Sequence, residues 1–509
     1  MQLGLNEGFA NVAQGTLRGK IVSGTSIKSF LGVPYAAAPI GDLRWKAPQA
    51  PLPWGGVRRA FDFGANSYHH EFDPQSFYGQ EFPTHLDPKS EDCLFLNVWT
   101  PAHAENERLP VLLWIHGGAF NWGASSDPVF DGVNYARHGV ILVTINYRLG
   151  ILGFLAHPLL SAESAHSVSG NYGVLDQIAA IKWVKENIAA FGGDPDRITI
   201  SGQSAGAASV NALLASPLAQ GIFSQAIIQS GSAYSRAMRN LPLRELEAQG
   251  VQWADTMGTK TLEQMRSLSA ADILETQRGG KYRFGPCIDG WMLSDHPARA
   301  ISAGLCAQIP MLMGCTSDES TTLSSRLEPN DIDPAQYRRD AQESFGEYAQ
   351  EFFELYPCAT AEEVIHSSLR SFCDTILAGM RLQASEQSAY NPNVYLYYFN
   401  RVPPGHDSQY YGAYHSAELS YLFATQHVIK RPWEPADQDL SAIMSQYWAN
   451  FVSQGDPNGN SLPPWPRYCT QQDQLMELGD HIGARTIPYA QRVDFLTRLI
   501  QRDMGLETI

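Results

Sequence analysis

The sequence lacks the features that would place it in a membrane or against a polyanion. No stretch of its 509 residues approaches the ~18 consecutive apolar residues of a membrane span, and the amino terminus lacks the basic start and apolar stretch of a secretion signal. Its 52 acidic residues outnumber the 36 basic ones, and the net charge of −16 opposes binding to nucleic acid or anionic membranes. We therefore expect a soluble, cytoplasmic protein that binds neither nucleic acid nor membrane.

Cysteine is also scarce, with seven residues and no CxxC pair. An odd number without close pairs predicts neither a disulfide framework nor a thiolate metal site, so we expect reduced thiols and no bound metal. Charged residues are only 17% of the chain and hydrophobic residues 44%, which excludes a disordered chain. No repeat or low-complexity linker divides the sequence, so a single domain over 1–509 is the simplest organisation.

Short apolar runs of strand length alternate with helical stretches along the chain. The five clearest runs are 111–115, 140–145, 198–200, 226–228 and 310–313. Several are apolar at consecutive positions, which is typical of parallel strands covered on both faces. Residues 172–190 show a period of about 3.6 and predict a helix that crosses between parallel strands. Together these patterns predict an α/β fold with a mostly parallel central sheet and helices on both faces.

The region 232–393 is less regular than the rest. Polar helical segments are predicted at 241–257 and 334–356, and we expect this region to form a large helical insertion over the sheet edge. Beyond it, 394–399 predicts another strand and 441–454 an amphipathic helix.

The sharpest local signal is the Gly-Gln-Ser-Ala-Gly string at 202–206. A G-x-S-x-G string arises by chance in roughly one chain in five of this length, so its context matters. Here it follows a predicted strand and precedes the small-residue stretch 207–214. Strand, abrupt turn and helix are the parts of a nucleophile elbow, which would present the Ser204 hydroxyl at the positive end of a helix. The alternative is a tight glycine turn with an inert serine.

A second glycine pair, Gly117 and Gly118, follows the apolar run 111–115. Such a pair lets consecutive N–H groups face a cavity instead of pairing, which is how an oxyanion hole is built. His116 is predicted to hold this loop, since a base must reach Ser204 from another direction.

In this architecture an acid and a histidine follow the nucleophile along the chain. Position alone does not choose among the six histidines after Ser204, which are His296, His366, His406, His415, His427 and His481. For the acid, the run 310–313 is followed by a strand end with two carboxylates, Asp318 and Glu319.

These motifs, in this order, resemble the type B carboxylesterases, the family of the cholinesterases and many bacterial esterases. The matching segments are 30–36, 43–45, 90–99, 116–120, 146–150, 170–173, 176–177, 191–195 and 202–206. The resemblance implies an α/β-hydrolase fold and ester hydrolysis through an acyl-enzyme, with no cofactor and no metal. It implies Ser204 as nucleophile, Glu319 as acid and His415 as base. Asp318, at the same strand end, is the rival acid.

The resemblance assigns roles to further residues. It implies that the oxyanion hole consists of the amides of Gly118, Ala119 and Ala205. It also implies two buried structural ion pairs, Arg44 with Glu91 and Arg148 with Asp176.

The sequence departs from the family near the nucleophile. Gln203 stands where many members have Glu, and the segment 81–86 lacks the tryptophan with which cholinesterases hold quaternary ammonium. We therefore predict poor hydrolysis of choline esters. Eight aromatic residues flank the motif loops as candidates for a substrate gorge, namely Phe120, Trp122, Tyr234, Tyr282, Phe284, Tyr410, Tyr411 and Tyr414.

The expected function is that of a serine carboxylesterase, monomeric or a small homo-oligomer, acting on small uncharged esters with short to medium acyl or aryl groups. A specialised hydrolase of an amide, carbamate, toxin or synthetic ester would use the same residues. A non-catalytic binding protein of the same fold is the other alternative, and retention of Ser204, Glu319 and His415 argues against it.

Overall fold

The structure is a computed structural model that describes residues 4–82, 88–235, 240–280, 282 and 284–505. Its strands are β1 (Phe9–Val12), β2 (Gly15–Arg18), β3 (Lys20–Ile21), β4 (Lys28–Pro34), β5 (Val57–Arg59), β6 (Phe95–Thr100), β7 (Leu109–Ile115), β8 (Ile141–Ile145), β9 (Gly193–Gln203), β10 (Gln225–Gln229), β11 (Met311–Thr316), β12 (Val394–Phe399), β13 (Gln474–Leu478) and β14 (Ile482–Thr486).

The α-helices of the described ranges are α1 (Phe77–Glu81), α2 (Val133–Arg137), α3 (Gly150–Phe154), α4 (Pro158–Glu163), α5 (Tyr172–Asn187), α6 (Ala205–Ala215), α7 (Leu243–Thr256), α8 (Leu262–Ser267), α9 (Ala270–Glu275), α10 (Pro297–Ser302), α11 (Ser320–Leu323), α12 (Pro334–Phe345), α13 (Ala349–Leu355), α14 (Ala361–Ser388), α15 (Ser408–Tyr411), α16 (Leu419–Leu422), α17 (Pro435–Gln454) and α18 (Ala490–Met504). Short 3-10 helices lie at Leu5–Glu7, Gly41–Leu43, Pro128–Phe130, Ile188–Phe191, Pro217–Ala219, Pro329–Asp331, Gly346–Tyr348 and Gln426–Val428.

A mixed sheet of eleven strands forms the centre of the molecule, in the order β14-β13-β12-β11-β10-β9-β7-β8-β6-β4-β3. All pairs from β13 to β8 are parallel, whereas the outer pairs at both ends are antiparallel. This confirms the predicted mostly parallel sheet. Strands β1, β2 and β5 form a separate small sheet.

Helices cover both faces of the large sheet, as predicted. Along β7, Val111, Leu113 and Ile115 pack into one hydrophobic cluster with residues of α5, α6 and α14, while Leu112 and Trp114 pack into a second with residues of α2 and α17. All five side chains are buried. A strand covered on both faces needs apolar residues at consecutive positions, which is the pattern of its sequence.

Several predicted boundaries differ from the observed ones. Strand β9 begins at Gly193 and not at 198, so the expected break after the helix is already part of the strand. The predicted helix 334–356 divides into α12 and α13, because Gly346 adopts a positive φ of 55° between them. Helix α17 starts at Pro435, six positions before the predicted start.

The longest helix, α14, was not predicted. It begins with a capping box in which Thr360 accepts from the amide of Glu363 and the Glu363 carboxylate accepts from the amide of Thr360. A T-x-x-E string of this kind is a start signal that the sequence does contain. Helix α14 packs against β11, β12 and α18.

The region 232–393 contains α7 to α14 and also strand β11 of the large sheet. Two buried ion pairs hold the loops around the sheet, as the resemblance implied. Arg44 binds Glu91 through two hydrogen bonds of 2.7 and 2.5 Å, and Arg148 binds Asp176 through 2.8 and 2.6 Å. Within the described ranges, no helix combines the length and the apolar character that crossing a membrane requires.

Candidate active site

Ser204 lies at the sharp turn between β9 and α6. Its φ of 58° and ψ of −121° are unusual for a residue other than glycine, and its amide donates to the carbonyl of Gln229 on the neighbouring strand at 2.9 Å. The turn therefore presents the Ser204 hydroxyl at the carboxyl end of the central strand and at the amino terminus of α6, as a nucleophile elbow requires.

The two glycines of the motif allow this turn to pack tightly. A Cβ on Gly206 would lie 2.1 Å from the carbonyl oxygen of Ile115 on β7, and one on Gly202 would lie 2.4 Å from the backbone of Gly206. Both distances are impossible for a real carbon atom, so the close approach of α6 to the sheet depends on these two glycines.

The loop after β7 approaches the same point. Gly118 and Ala119 have positive φ values of 105° and 51°, and within the described residues neither amide donates a hydrogen bond. Ala205 is the first residue of α6, where an amide has no intrahelical partner. Three predicted oxyanion donors are thus left without backbone partners next to Ser204, and Ala119 and Ser204 line the same cavity.

His116 holds this loop in place, in agreement with the expectation from the sequence. Its Nδ1 lies 2.8 Å from the carbonyl oxygen of Gly117, and its ring stacks on Tyr147 with centroids 4.6 Å apart. Burial lowers the pKa of His116 to about 4, so the imidazole is neutral at pH 7.

Glu319 and His415 form a buried hydrogen-bonded pair through Glu319 Oε2 and His415 Nδ1. The second carboxylate oxygen, Oε1, accepts the amide of Thr316 at 2.9 Å. Burial by itself would raise the pKa of Glu319, but the charge and hydrogen bond of His415 outweigh it and hold the pKa below its usual value. The carboxyl group is therefore ionised and fixes the proton of the imidazole on Nδ1.

Asp318, the rival acid, has a different role. Its Oδ2 accepts the amide of Ala413 at 3.0 Å, and its own amide donates to the carbonyl of Ala413 at 3.0 Å. Asp318 thereby joins the loop that carries Glu319 to the loop that carries His415 and brings those side chains into contact.

Of the six histidines that the sequence left open, His415 is the one that contacts Glu319. The other five lie at the surface or at a helix terminus, namely His296 at the start of α10 and the exposed His366, His406, His427 and His481. The structure therefore distinguishes His415 from the others by its environment.

The side chain of Gln203 is hydrogen-bonded to Nε2 of His415, the ring nitrogen that does not contact Glu319. Its Nε2 lies 3.1 Å from His415 Nε2, and since Nδ1 carries the proton, the Gln203 amide is the donor. Among the described residues no hydrogen bond joins the Ser204 hydroxyl to His415, although both line the same cavity. The hydrogen bond from Gln203 must break before Nε2 of His415 can accept the proton of the Ser204 hydroxyl.

A second buried carboxyl group, Glu418, lies behind this pair and was missed in the sequence, where it gave no signal of its own. Its Oε1 accepts from Gln229 Nε2 at 3.1 Å. Burial and then the charge of Glu319 raise the pKa of Glu418 to about 7. Two buried carboxyl groups that repel each other electrostatically favour one ionised and one neutral member, and here Glu319 is the ionised one.

Two cavities meet at Ser204 and His415. The larger has a volume of about 470 Å³, and helices of region 232–393 contribute much of its apolar lining, including Leu246, Phe372 and Ile376. The smaller has a volume of about 170 Å³ and is lined by the oxyanion loop and by aromatic side chains.

Four of the eight aromatic residues considered for a gorge line these cavities. They are Phe120, Tyr282 and Phe284 in the larger one and Trp122 in the smaller one. Tyr234 and Tyr414 are buried in the core, and the hydroxyl group of Tyr414 donates a hydrogen bond to the Glu81 carboxylate. Of the segment 81–86 that lacks a tryptophan, only Glu81 and Phe82 belong to the described residues.

The described residues contain no group of three or more His, Cys, Asp or Glu arranged to hold a metal ion. All seven cysteines are unpaired.

Comparisons with known proteins show the family of the chain. The model of the carboxylesterase family matches residues 6–496. Fumonisin B1 esterase from Sphingopyxis macrogoltabida is 34% identical over 471 residues, which cover 90% of this chain and 84% of the relative. Para-nitrobenzyl esterase from Bacillus subtilis strain 168 is 33% identical over 500 residues, covering 94% and 96% of the two chains.

Solved structures are similar over the same length. A PNB esterase matches with a TM-score of 0.83 at 31% identity, covering 96% of this chain and 99% of the other. A carboxylesterase from Geobacillus stearothermophilus matches with a TM-score of 0.82 at 33% identity, covering 96% and 100%.

Proposed function

The chain belongs to the carboxylesterase family and is a carboxylic ester hydrolase, and from that premise we propose that Ser204, His415 and Glu319 carry out the reaction on small uncharged esters. The observation that carries the proposal is the buried hydrogen-bonded pair of Glu319 and His415, which lies at a cavity that Ser204 also lines. In this arrangement each of the three side chains has a distinct task.

His415 accepts the proton of the Ser204 hydroxyl on Nε2 as the serine oxygen attacks the ester carbonyl. Glu319 holds the proton on Nδ1 and stabilises the imidazolium that forms, which is the usual division of labour in such a triad. The imidazolium then returns its proton to the leaving alcohol, and the same ring activates the water that hydrolyses the acyl-enzyme.

The amides of Gly118, Ala119 and Ala205 stabilise the tetrahedral oxyanion. Because these amides are already held without partners, they need no rearrangement when negative charge develops on the carbonyl oxygen. The neutral side chain of Gln203 adds no negative charge beside this centre, and a carboxylate there would oppose the oxyanion.

The larger cavity supports uncharged esters with short to medium acyl chains or aryl groups. Its lining is mainly apolar, and about 470 Å³ is within the ordinary size range of small-molecule sites. Leu246, Tyr282 and Phe284 would bury the organic part of such a substrate.

Ser204→Ala tests the proposal directly. We expect the variant to lose hydrolysis of p-nitrophenyl esters by at least about 10³-fold in kcat, since members of a triad act as a unit. The assay is steady-state release of p-nitrophenol over a series of acyl chain lengths, with far-ultraviolet circular dichroism to show that the variant is folded. Equal rates for the wild type and the variant would refute Ser204 as the nucleophile.

A further inference from the structure

The smaller cavity contains a carboxyl group that the reaction described above does not use. Asp127 lines this cavity of about 170 Å³ together with Ser204, His415 and the oxyanion loop. It also lines a narrow neighbouring cavity, in which Lys89 and His69 are found. A substrate that places its ester at Ser204 and extends into the smaller cavity can therefore reach Asp127.

Asp127 has no cationic partner among the described residues. One of its oxygens, Oδ1, accepts the amide of Val129 at 3.0 Å and caps a short 3-10 helix. The nearby ammonium group of Lys89 is engaged elsewhere, by the carbonyl oxygen of His69 at 3.0 Å and by Glu71 at 2.9 Å. Burial without a compensating charge raises the pKa of Asp127 to about 7. A carboxyl group in this situation gains stability from any cation that reaches it.

The walls of the smaller cavity suit a cation as well. Trp122 lies at their centre, with ring centroids 4.5 Å from Phe72, 5.9 Å from Tyr78 and 5.7 Å from Phe82. All four rings line the cavity. Aromatic faces attract organic cations, and the attraction is larger where water is excluded.

We propose that the smaller cavity is a subsite for a primary ammonium group, with Asp127 as the residue that selects it. Besides the uncharged esters proposed above, the enzyme then also hydrolyses esters of which one half carries a protonated primary amine, and it prefers these to the same esters without charge. This inference rests on the proposed function, because the amine is placed relative to an ester attacked by Ser204. The net charge of −16 favours the approach of such substrates.

An ammonium group with N–H donors is the ligand that fits Asp127. The free oxygen of the carboxylate accepts a charge-assisted hydrogen bond from –NH₃⁺, which roughly doubles the strength of a neutral one. A trimethylammonium group has no N–H to donate, so it gains only the contact with the rings. The subsite is thus compatible with the poor hydrolysis of choline esters predicted from Gln203.

The test compares matched esters on the wild type and on Asp127→Asn. Asparagine keeps the oxygen that caps the amide of Val129 and nearly the same volume, and it removes the charge. One set consists of aminobutyl, pentyl and trimethylammoniobutyl benzoate, and the other of the p-nitrophenyl esters of aminohexanoic and heptanoic acid. The sets place the amine in the alcohol half or in the acyl half.

We expect the wild type to favour the amine over its uncharged analogue in kcat/KM by about tenfold or more in at least one set. In Asp127→Asn this ratio should fall by about tenfold, which corresponds to about 1.4 kcal/mol. An unchanged ratio in both sets overturns the proposal, as does equal preference for the trimethylammonium ester. The ratio of the two kcat/KM values does not depend on how much of the variant is active, because both substrates are measured on the same enzyme preparation.

Inhibition of the wild type provides a measurement that needs no variant. Pentylammonium should inhibit pentyl benzoate hydrolysis competitively, with a Ki about tenfold lower than that of hexanol, an uncharged alcohol one carbon longer. Equal Ki values for pentylammonium and hexanol would overturn the proposed ammonium subsite. Hydrolysis of pentyl benzoate itself, and its loss in Ser204→Ala, report on the proposed function separately, so the two failures are distinguishable.

Discussion

At the scale of single residues, two neighbouring carboxylates follow the same strand and only one of them can serve the histidine. Glu319 is fully buried and contacts His415, whereas Asp318 is partly exposed and binds the backbone of Ala413. The sequence offered both at one strand end, and the resemblance favoured Glu319. The contacts give the physical reason, because only one of the two side chains points into the interior.

Removing the charge of Glu319 should therefore reduce turnover far more than removing that of Asp318. We expect Glu319→Gln to lower kcat by about 10⁴-fold, because an amide leaves the imidazole with the wrong tautomer. Asp318→Asn is the matched control, which keeps an oxygen for the amide of Ala413 and should reduce kcat much less. The measurement is kcat on a p-nitrophenyl ester, and equal losses in the two variants would contradict the assignment.

Glu418 should make stability depend on pH. Its pKa of about 7 in the folded protein lies above the usual value near 4.3 in an unfolded chain. As the pH rises from about 4 to 7, the unfolded chain gives up a proton that the folded protein keeps, so folding becomes less favourable. Above pH 7 the destabilisation has reached its full size. The free energy of unfolding is then lower by about 1.4 kcal/mol for each unit by which the pKa of Glu418 in the folded protein exceeds that in the unfolded chain.

Glu418→Gln has no proton to lose and mimics the neutral carboxyl group. Relative to wild type, its Tm should therefore be higher at pH 8 than at pH 5. Thermal unfolding at the two pH values measures the effect, with the exposed Glu343→Gln as a control for the loss of one charge. The same Tm difference at both pH values would show that Glu418 does not titrate between pH 5 and pH 8 and would contradict this prediction.

At the scale of elements, the reactive serine depends on how closely α6 approaches β7. The helix begins immediately after Ser204, and Gly206 on its first turn faces the carbonyl oxygen of Ile115. The turn, the strand and the helix were predictable from the sequence because they are local features. The contact between α6 and β7 joins residues 91 positions apart, 206 − 115, and depends on the sheet being assembled.

Gly206→Ala should therefore displace the nucleophile. The added carbon would lie 2.1 Å from a backbone oxygen, so α6 must move away from the sheet and Ser204 must move with it. We expect kcat to fall by about 10²-fold or more, since a displacement of about 1 Å is enough for such a loss. Gly55→Ala is the control, because nothing lies within 4 Å of its added carbon. Wild-type kcat in Gly206→Ala would refute this dependence.

At the scale of the whole molecule, the central parallel strands were predictable and the edges of the sheet were not. Central strands are covered on both faces, and their uninterrupted apolar runs are distinctive. The edge strands β3 and β14 are mostly exposed or half-exposed and short, so their sequences show no such run. Their antiparallel pairing follows from adjacent chain segments turning back, which is a property of the assembled chain.

The order of residues along the chain was sufficient to predict the fold class, the elbow at Ser204 and the glycine loop after β7, because each follows from interactions between residues close in sequence. The family resemblance added Glu319 and His415. Their actual contact joins residues 96 positions apart, and that of Gln203 with His415 joins residues 212 apart. The raised pKa values of Glu418 and Asp127 likewise depend on burial by distant segments, so only the folded chain decides which acids are ionised and what the smaller cavity can bind.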